Sequence, residues 1–204
     1  MHSILDILES SDPASVDLIS LDDLKLALGI TDDSEDERLQ AAITFQSRII
    51  TEYCDRRFAF AEALETFTFD PGEVLPIRQA LTLSLYPVAE IIEVSNLGAT
   101  AGDYDLDPAS GRLWMNGCWP DTIAVAYSGG YLLPDEAPAR LQRAVIEAIN
   151  EGRTSGTRDP SIREVQHGDT RISYFTSSLS TASSGYLSAT VTDLIQPYRR
   201  LYVA

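Results

Sequence analysis

Two histidines, two cysteines and an excess of carboxylates are the side chains of this 204-residue chain that could move protons, attack a carbonyl or hold a metal. Histidine carries most general acid–base chemistry near neutral pH, and here it is poorly placed. His2 stands at the very start. His167 stands beside Gly168-Asp169 in a predicted hairpin turn, to be read as an exposed polar tip or as a general base. Histidine-dependent nucleophilic triads therefore have almost nothing to work with. Ser128-Gly129-Gly130 and Ser155-Gly156 lack the G-x-S-x-G strand-to-helix elbow that exposes a serine nucleophile. Neither a glycine-rich phosphate loop nor an HExxH helix occurs.

Carboxylates are abundant enough that composition leaves an acid pair for glycosidic cleavage open. The run Asp32, Asp33, Glu35, Asp36, Glu37 fits a helix start, where negative charge meets the positive end of the helix dipole. Asp103-Tyr104-Asp105-Leu106-Asp107 resembles a calcium loop on the surface, but it lacks the glycine at the sixth position and the closing glutamate. It reads instead as an acidic hairpin edge. Trp114 and Trp119 flank Asn116-Gly117-Cys118 and serve either lobe packing or a ligand platform. Cys54 and Cys118 lie far apart with no CxxC partner, so neither a disulfide framework nor a zinc site is expected, and Cys54 is expected as a reduced core residue. The expectation is no catalytic residue, no metal and no cofactor.

The formal net charge of −16 argues against gripping nucleic acid, which requires a basic footprint to neutralise phosphates. An acidic wall along which DNA passes without sticking remains compatible with it, as does simple solubility. From Arg140 onward the balance reverses: Arg140, Arg143, Arg153, Arg158, Arg163, Arg171, Arg199 and Arg200 outnumber Glu147, Glu151, Asp159, Glu164, Asp169 and Asp193. Such asymmetry suits stacking of unlike faces, or a solvated surface. Lys25 is the single lysine, and arginine is the cation favoured at protein interfaces. The apolar stretch from Leu81 to Val94 is broken by Ser84, Pro87 and Glu90, so no membrane span is expected, and Asp6 and Glu9 stand where a signal peptide would be apolar.

These side chains must be positioned by elements of two periods. Ser20-Leu21-Asp22-Asp23 reads as a helix start and Gly29 as its stop. A second start at Ser34 leads into Leu39, Ala42, Ile43, Gln46, Ile49, Ile50 and Tyr53 at helical spacing, with Arg56 and Arg57 near the negative end. From Glu62 to Tyr127 the period becomes two: Leu64 to Phe69 and Leu81 to Leu85 alternate, and Ile91 to Val94 and Ile123 to Tyr127 are β-rich. Asp70-Pro71-Gly72 and Asp107-Pro108-Ala109-Ser110-Gly111 are turns. A third helix follows Pro134, carries Leu141, Val145, Ile146 and Ile149, and ends before Gly152. Residues 163 to 175 read as a hairpin, 176 to 185 as a serine-rich loop, and Ser188 to Ile195 as a last helix broken at Pro197.

The expected fold class is α+β: a small bundle of about four helices with an inserted antiparallel β lobe and a C-terminal hairpin and arm. Residues 1–18 are expected as a loosely held arm, 19–60 with 134–204 as the helical domain, and 61–133 as the inserted lobe.

Read in order, several stretches resemble the head-to-tail connector family of tailed phages. They are Ile19 to Ile30 with the acidic segment and Leu39 to Ile43; the cluster Tyr53-Cys54-Asp55-Arg56-Arg57; Gly111-Arg112-Leu113-Trp114; Ile123 to Tyr131 with its Tyr-x-Gly-Gly-Tyr turn; Glu164-Val165 with Gly168 to Tyr174; and Leu194 to Arg200. The resemblance covers about residues 19 to 200. Gln196 departs from it, as do the length of the 176–185 loop and the apparent shortness of the third helix. It implies a structural virion protein and not an enzyme: an adaptor protomer at the head–tail interface, assembled in the bacterial cytoplasm. Its implied partners are the portal ring, a stopper or tail-side connector, and further copies of itself in a dodecameric ring, with passing double-stranded DNA and no membrane. Tyr198, Arg199, Arg200 and Tyr202 are then expected to bind a portal or neighbouring ring, since aromatic and arginine side chains concentrate binding energy; the local alternative is that Arg199 and Arg200 complement the negative end of the last helix. A different reading makes the β lobe a receptor- or carbohydrate-binding module.

Overall fold

A computed structural model describes residues 2–10, 16–69, 80–95, 104–115, 119–156, 164–167, 170–173 and 187–200. The fold is α+β, as expected. In chain order the elements are β1 (His2–Ser10), α1 (Leu21–Leu28), α2 (Asp36–Cys54), β2 (Ala61–Thr68), β3 (Leu81–Thr82), β4 (Val88–Ser95), β5 (Tyr104–Asp107), β6 (Arg112–Met115), β7 (Thr122–Gly129), α3 (Ala139–Gly156), β8 (Glu164–His167), β9 (Thr170–Ser173), α4 (Ala189–Ile195) and a 3-10 turn (Gln196–Tyr198). They form two compact units, Met1–Val16 with Arg56–Glu136, and Asp17–Asp55 with Ala137–Ala204.

The helical unit starts where the capping residues dictate. The Ser20 hydroxyl accepts from the Asp23 amide at 3.1 Å and donates to the Asp23 carboxylate at 2.6 Å, fixing the first turn of α1. Gly29 ends it in the left-handed region at φ 68°, with its own amide and that of Ile30 returning to the carbonyls of Leu26 and Lys25. Lys25 reaches Asp33 at 2.6 Å and Asp36 at 2.8 Å, which folds the acidic linker back on α1; these two bonds raise the lysine above its usual range. The second helix begins later than its serine predicts. Ser34 is taken up by the Asp32 carboxylate, which draws that carboxyl below its usual range, and Glu35 precedes the first helical residue without a side-chain cap.

Leu39, Ile43, Ser47, Ile50 and Cys54 form the buried stripe of α2. The Leu18 amide donates to the Ser47 hydroxyl at 3.1 Å, so the one polar residue of the stripe is used. Arg153 on α3 meets Glu35 at 2.6 Å. The third helix is longer than expected, running past Gly152 to Gly156. A side chain at 152 would meet nothing within 4 Å, so this glycine occupies an open face and costs the helix only about 1 kcal/mol relative to alanine. The predicted hairpin is present as the antiparallel pair β8–β9, with His167 opposite Thr170. The serine-rich 176–185 loop lies outside the described residues.

In the β unit one sheet has the order β1-β2-β7-β4 and a second the order β3-β6-β5. Residues 2–10 are therefore not an arm. Their alternation pairs β1 antiparallel with β2, from His2 opposite Thr68 to Ser10 opposite Ala61, and turns Leu5 toward the core. Ala61, Ala63, Phe67, Ile123, Val125 and Tyr127 from the larger sheet meet Leu81, Leu83, Leu85, Leu113 and Trp119 in one cluster. The expected 81–85 strand keeps only Leu81–Thr82 in ladder form, yet Leu83 and Leu85 are buried because the segment turns inward.

That inward turn is held by a buried carboxylate. Glu65 is fully buried on β2 and accepts from the Ser84 amide at 2.8 Å, the Ser84 hydroxyl at 2.6 Å and the Tyr127 hydroxyl at 2.8 Å. The Tyr127 oxygen in turn accepts from the amides of Ser84 and Leu85, each at 3.1 Å. Burial, and then the nearby Glu65 charge, push the Tyr127 hydroxyl well above the usual tyrosine range. The adjoining glycines close the seam: a Cβ at Gly129 would lie 2.6 Å from the Leu85 carbonyl oxygen, and Gly130, at φ 103°, would place one 2.7 Å from that of Ala59.

Glu65→Ala leaves the hydroxyls of Ser84 and Tyr127 without their acceptor in the core and is expected to lower unfolding free energy by about 3 kcal/mol, and Tyr127→Phe by about 1.5 kcal/mol, measured as a shift of the urea midpoint. Because the folded state holds the Tyr127 proton more tightly than the unfolded chain does, its contribution is complete below the unfolded value, about pH 10, and falls as pH rises further. Stability of the parent should drop more steeply with alkalinity than that of Tyr127→Phe; parallel curves would refute this assignment.

Candidate functional site

The C-terminal segment singled out by the sequence is built from α4 onward. Ser188 caps α4 by accepting from the Val191 amide at 3.3 Å, and its hydroxyl donates to Glu151 on α3 at 2.9 Å. Val191 and Ile195 are buried, and Pro197 continues the chain as the 3-10 turn. Past that turn the backbone meets the end of α2. The Arg200 amide donates to the Cys54 carbonyl at 2.8 Å, satisfying one of the carbonyls that a helix terminus leaves open. The Tyr53 hydroxyl donates to Gln196 at 3.4 Å, and the Arg199 guanidinium lies 5.5 Å from the centre of the Tyr53 ring. Cys54 is buried and reduced, its thiol directed at the Ile195 carbonyl at 3.9 Å.

Of the four predicted binding residues, Tyr198 and Arg200 are half-buried, Arg199 is exposed, and Tyr202 lies outside the described residues. Arg199 is brought to Tyr53 of α2 as a cation–π pair. The helix end that the segment meets is therefore that of α2, not only that of α4 on which it follows. What remains outward is a guanidinium on an aromatic ring, a pair suited to an acidic or carbonyl-rich protein surface.

Arg56 does not complement the end of α2 as its position predicts. Asp55 leaves the helix in the left-handed region at φ 48°, and Arg56 enters the β unit, where it is buried, donates to the Tyr86 carbonyl and stacks 3.3 Å from the Tyr86 ring centre. Among the described residues no group of three or more His, Cys, Asp or Glu is arranged to hold a metal ion. Asp107, part of the run that resembles a calcium loop, accepts from the Ser110 hydroxyl at 2.5 Å and the Ala109 amide at 3.2 Å; those bonds lower its carboxyl below the usual range and commit it to a turn. Trp119 is part of the core and Trp114 is exposed, so the two do not share one platform. No helix among the described residues is long and apolar enough to cross a membrane.

Two features escape the sequence reading. Phe45 is 60% exposed on α2, and Ile4 and Leu8 are 58% and 57% exposed on β1. Phe45 was detectable, because it falls outside the apolar stripe that the spacing of Leu39, Ile43 and Ile50 defines.

A helical unit interrupted by a β unit of two sheets, with the chain returning to helix and closing on a short arginine-bearing segment, defines the class of fold. Residues 18–83 match the family described as phage gp6-like head-tail connector proteins. Over 98% of its length the chain shares its fold with a protein in the neck of an empty GTA particle computed with C6 symmetry (13% identity, 97% of that chain, TM-score 0.55). It does so equally with one in the virion of a native gene transfer agent particle (14% identity, 97% of that chain, TM-score 0.53). Among curated proteins none matches the sequence. The connector resemblance is thus borne out by the family match over residues 18–83, and the solved structures share the fold over almost the whole chain.

Ser188→Ala removes both the α4 cap and the bond to Glu151. It is expected to cost about 1 kcal/mol and to lower Tm by about 3 °C, read by circular dichroism. An unchanged Tm would show that α4 and the segment after it are held elsewhere.

Proposed function

We propose that this chain is a structural adaptor protomer of the ring that joins the capsid portal to the tail-side connector of a phage-like particle and surrounds the DNA passage. The observation that carries this reading is the family match of residues 18–83, supported by a fold shared with proteins of gene transfer agent particles. The bulk physics agrees with it. A net charge of −16 disfavours adhesion of a passing duplex, whose phosphates carry the same sign. Ring closure, for which the family resemblance implies a dodecamer, requires a heterologous surface repeated head to tail.

In this reading the portal ring and a stopper or tail-side connector are the partners above and below, and assembly takes place in the bacterial cytoplasm. The C-terminal Tyr198, Arg199, Arg200 and Tyr202 dock the portal or neighbouring ring, Arg199 presenting its charge from the Tyr53 ring. No step of this role calls for catalysis or a cofactor.

Cryo-electron microscopy of particles carrying the chain should place it at the portal vertex; density elsewhere would overturn the adaptor assignment. Truncation after Gln196 should leave the helical circular dichroism signal in place while tailed particles become rare. Undiminished tail joining in that variant would remove the C-terminal segment from the docking site.

A further inference from the structure

Several cations of the helical unit are used internally. Lys25 is shared by Asp33 and Asp36, Arg38 and Arg153 reach Glu35, and Arg143 reaches Glu147. Arg199 is not used in this way: it is exposed, and among the described residues its guanidinium makes neither an ion pair nor a hydrogen bond. Arg48 and Arg140 are exposed and unpaired in the same sense. Of these three, Arg199 alone lies over an aromatic ring among the described residues, with its guanidinium carbon 5.5 Å from the centre of Tyr53.

The backbone around Arg199 is tied down on both sides. Before it, Gln196 accepts from the Tyr53 hydroxyl at 3.4 Å and its carbonyl accepts from the Arg199 amide at 3.2 Å. After it, the Arg200 amide donates to the Cys54 carbonyl at 2.8 Å. Tyr53 therefore does two things at once: its hydroxyl meets the 3-10 turn, and its ring carries the guanidinium. A side chain held in place before binding gives up less rotamer freedom when a partner arrives. Stacking occupies a face of the guanidinium and leaves its N–H donors, which point outward in the plane, free for acceptors.

The charges at this end of the unit decide what those acceptors are. Arg199 and Arg200 stand among Glu52 and Asp55 at the end of α2 and Asp193 on α4, all three of these acids exposed. The patch is thus slightly negative in sum and offers no attraction to a carboxylate-rich surface. Uncharged oxygens meet no such opposition.

We propose that Tyr53 is the positioning residue of the C-terminal docking site, and that it holds Arg199 out to backbone carbonyl oxygens of the docked partner, such as those a helix C-terminus leaves open, rather than to a carboxylate. The inference rests on the docking reading above and adds to it a residue from α2 and the chemistry of the group that is met.

Purified full chain, added to extracts of a host that makes the particles without it, should restore tailing; the readout is the chain concentration that gives half-maximal tailing. Arg199→Lys keeps the charge but loses the planar fork, so it should raise that concentration about tenfold, as Arg199→Ala does. Tyr53→Leu should raise it by a similar factor, whereas Tyr53→Phe, which keeps the ring, should stay within about twofold of the parent. The loss caused by Arg199→Ala should be equal at low and high salt, because no opposite charge is there to be screened. Parental docking by Arg199→Lys or Tyr53→Leu, Tyr53→Phe as weak as Tyr53→Leu, or a loss that shrinks as salt rises would each overturn this site. Should Tyr53→Leu melt early, Arg199→Lys, a change at an exposed side chain, decides the case. Truncation after Gln196 separates the two levels: undiminished tailing removes the docking reading and this site with it, while lost tailing beside parental Arg199 and Tyr53 variants removes this site alone.

Discussion

The β unit depends on a charge placed where charges rarely go. Glu65 sits in the buried register of β2, between Ala63 and Phe67, and is tolerated because both its oxygens are occupied by Ser84 and Tyr127. Through those bonds the carboxylate ties an irregular segment to a regular one. Residues 83–87 leave the ladder, and without the Glu65 and Tyr127 oxygens as acceptors the amides of Ser84 and Leu85 would be buried and unpaired. Arg56 holds the same segment from another side by its bond to the Tyr86 carbonyl. Gly129 and Gly130 then let the backbones of residues 85–87 and 58–60 approach more closely than any side chain permits. The Tyr-x-Gly-Gly-Tyr turn is thus a packing seam: its first tyrosine anchors the carboxylate, and its glycines make the room.

Charge is distributed in a way that separates the two units. Only Arg56, Arg57, Arg78 and Arg112 stand against the acids of residues 1–16 and 56–136, and Arg56 is buried there. The helical unit holds the single lysine and most of the arginines, and among the described residues Arg38 and Arg153 pair with Glu35 and Arg143 with Glu147. DNA, whose backbone has the same sign as both units, is held off by either.

Much of this was legible beforehand for reasons that are local. Ser20, Gly29 and Ser188 act within one turn of themselves, so the ends of α1 and the start of α4 follow from residue type alone. Gly152 misled, because a helix-breaking residue costs little on an open face. The N-terminal residues misled for a different reason: β1 exists only by virtue of β2, a partner remote in sequence, and its apolar residues were too few to declare a strand by themselves. Glu65 was invisible as a core residue because alternation marks which face it occupies but not that Ser84 and Tyr127 converge on it. For the candidate site, the sequence singled out the C-terminal arginines and aromatics as candidates for binding, but it could not show that Arg199 turns to Tyr53 or that the Arg200 amide closes α2.

The place of β1 in the chain also bears on how the protein is made. Its pairing partner, beginning at Ala61, leaves the ribosome only after α1 and α2 have been synthesised. At elongation rates of about 5–20 residues per second the nascent strand waits roughly 3–10 s before β2 appears. Through that interval Ile4, Leu5, Ile7 and Leu8 are an unpaired apolar segment, and Asp6 and Glu9 are the only charges that keep it from joining another nascent chain. Translation speed across the two helices therefore sets how long the first strand stays at risk of a wrong partner.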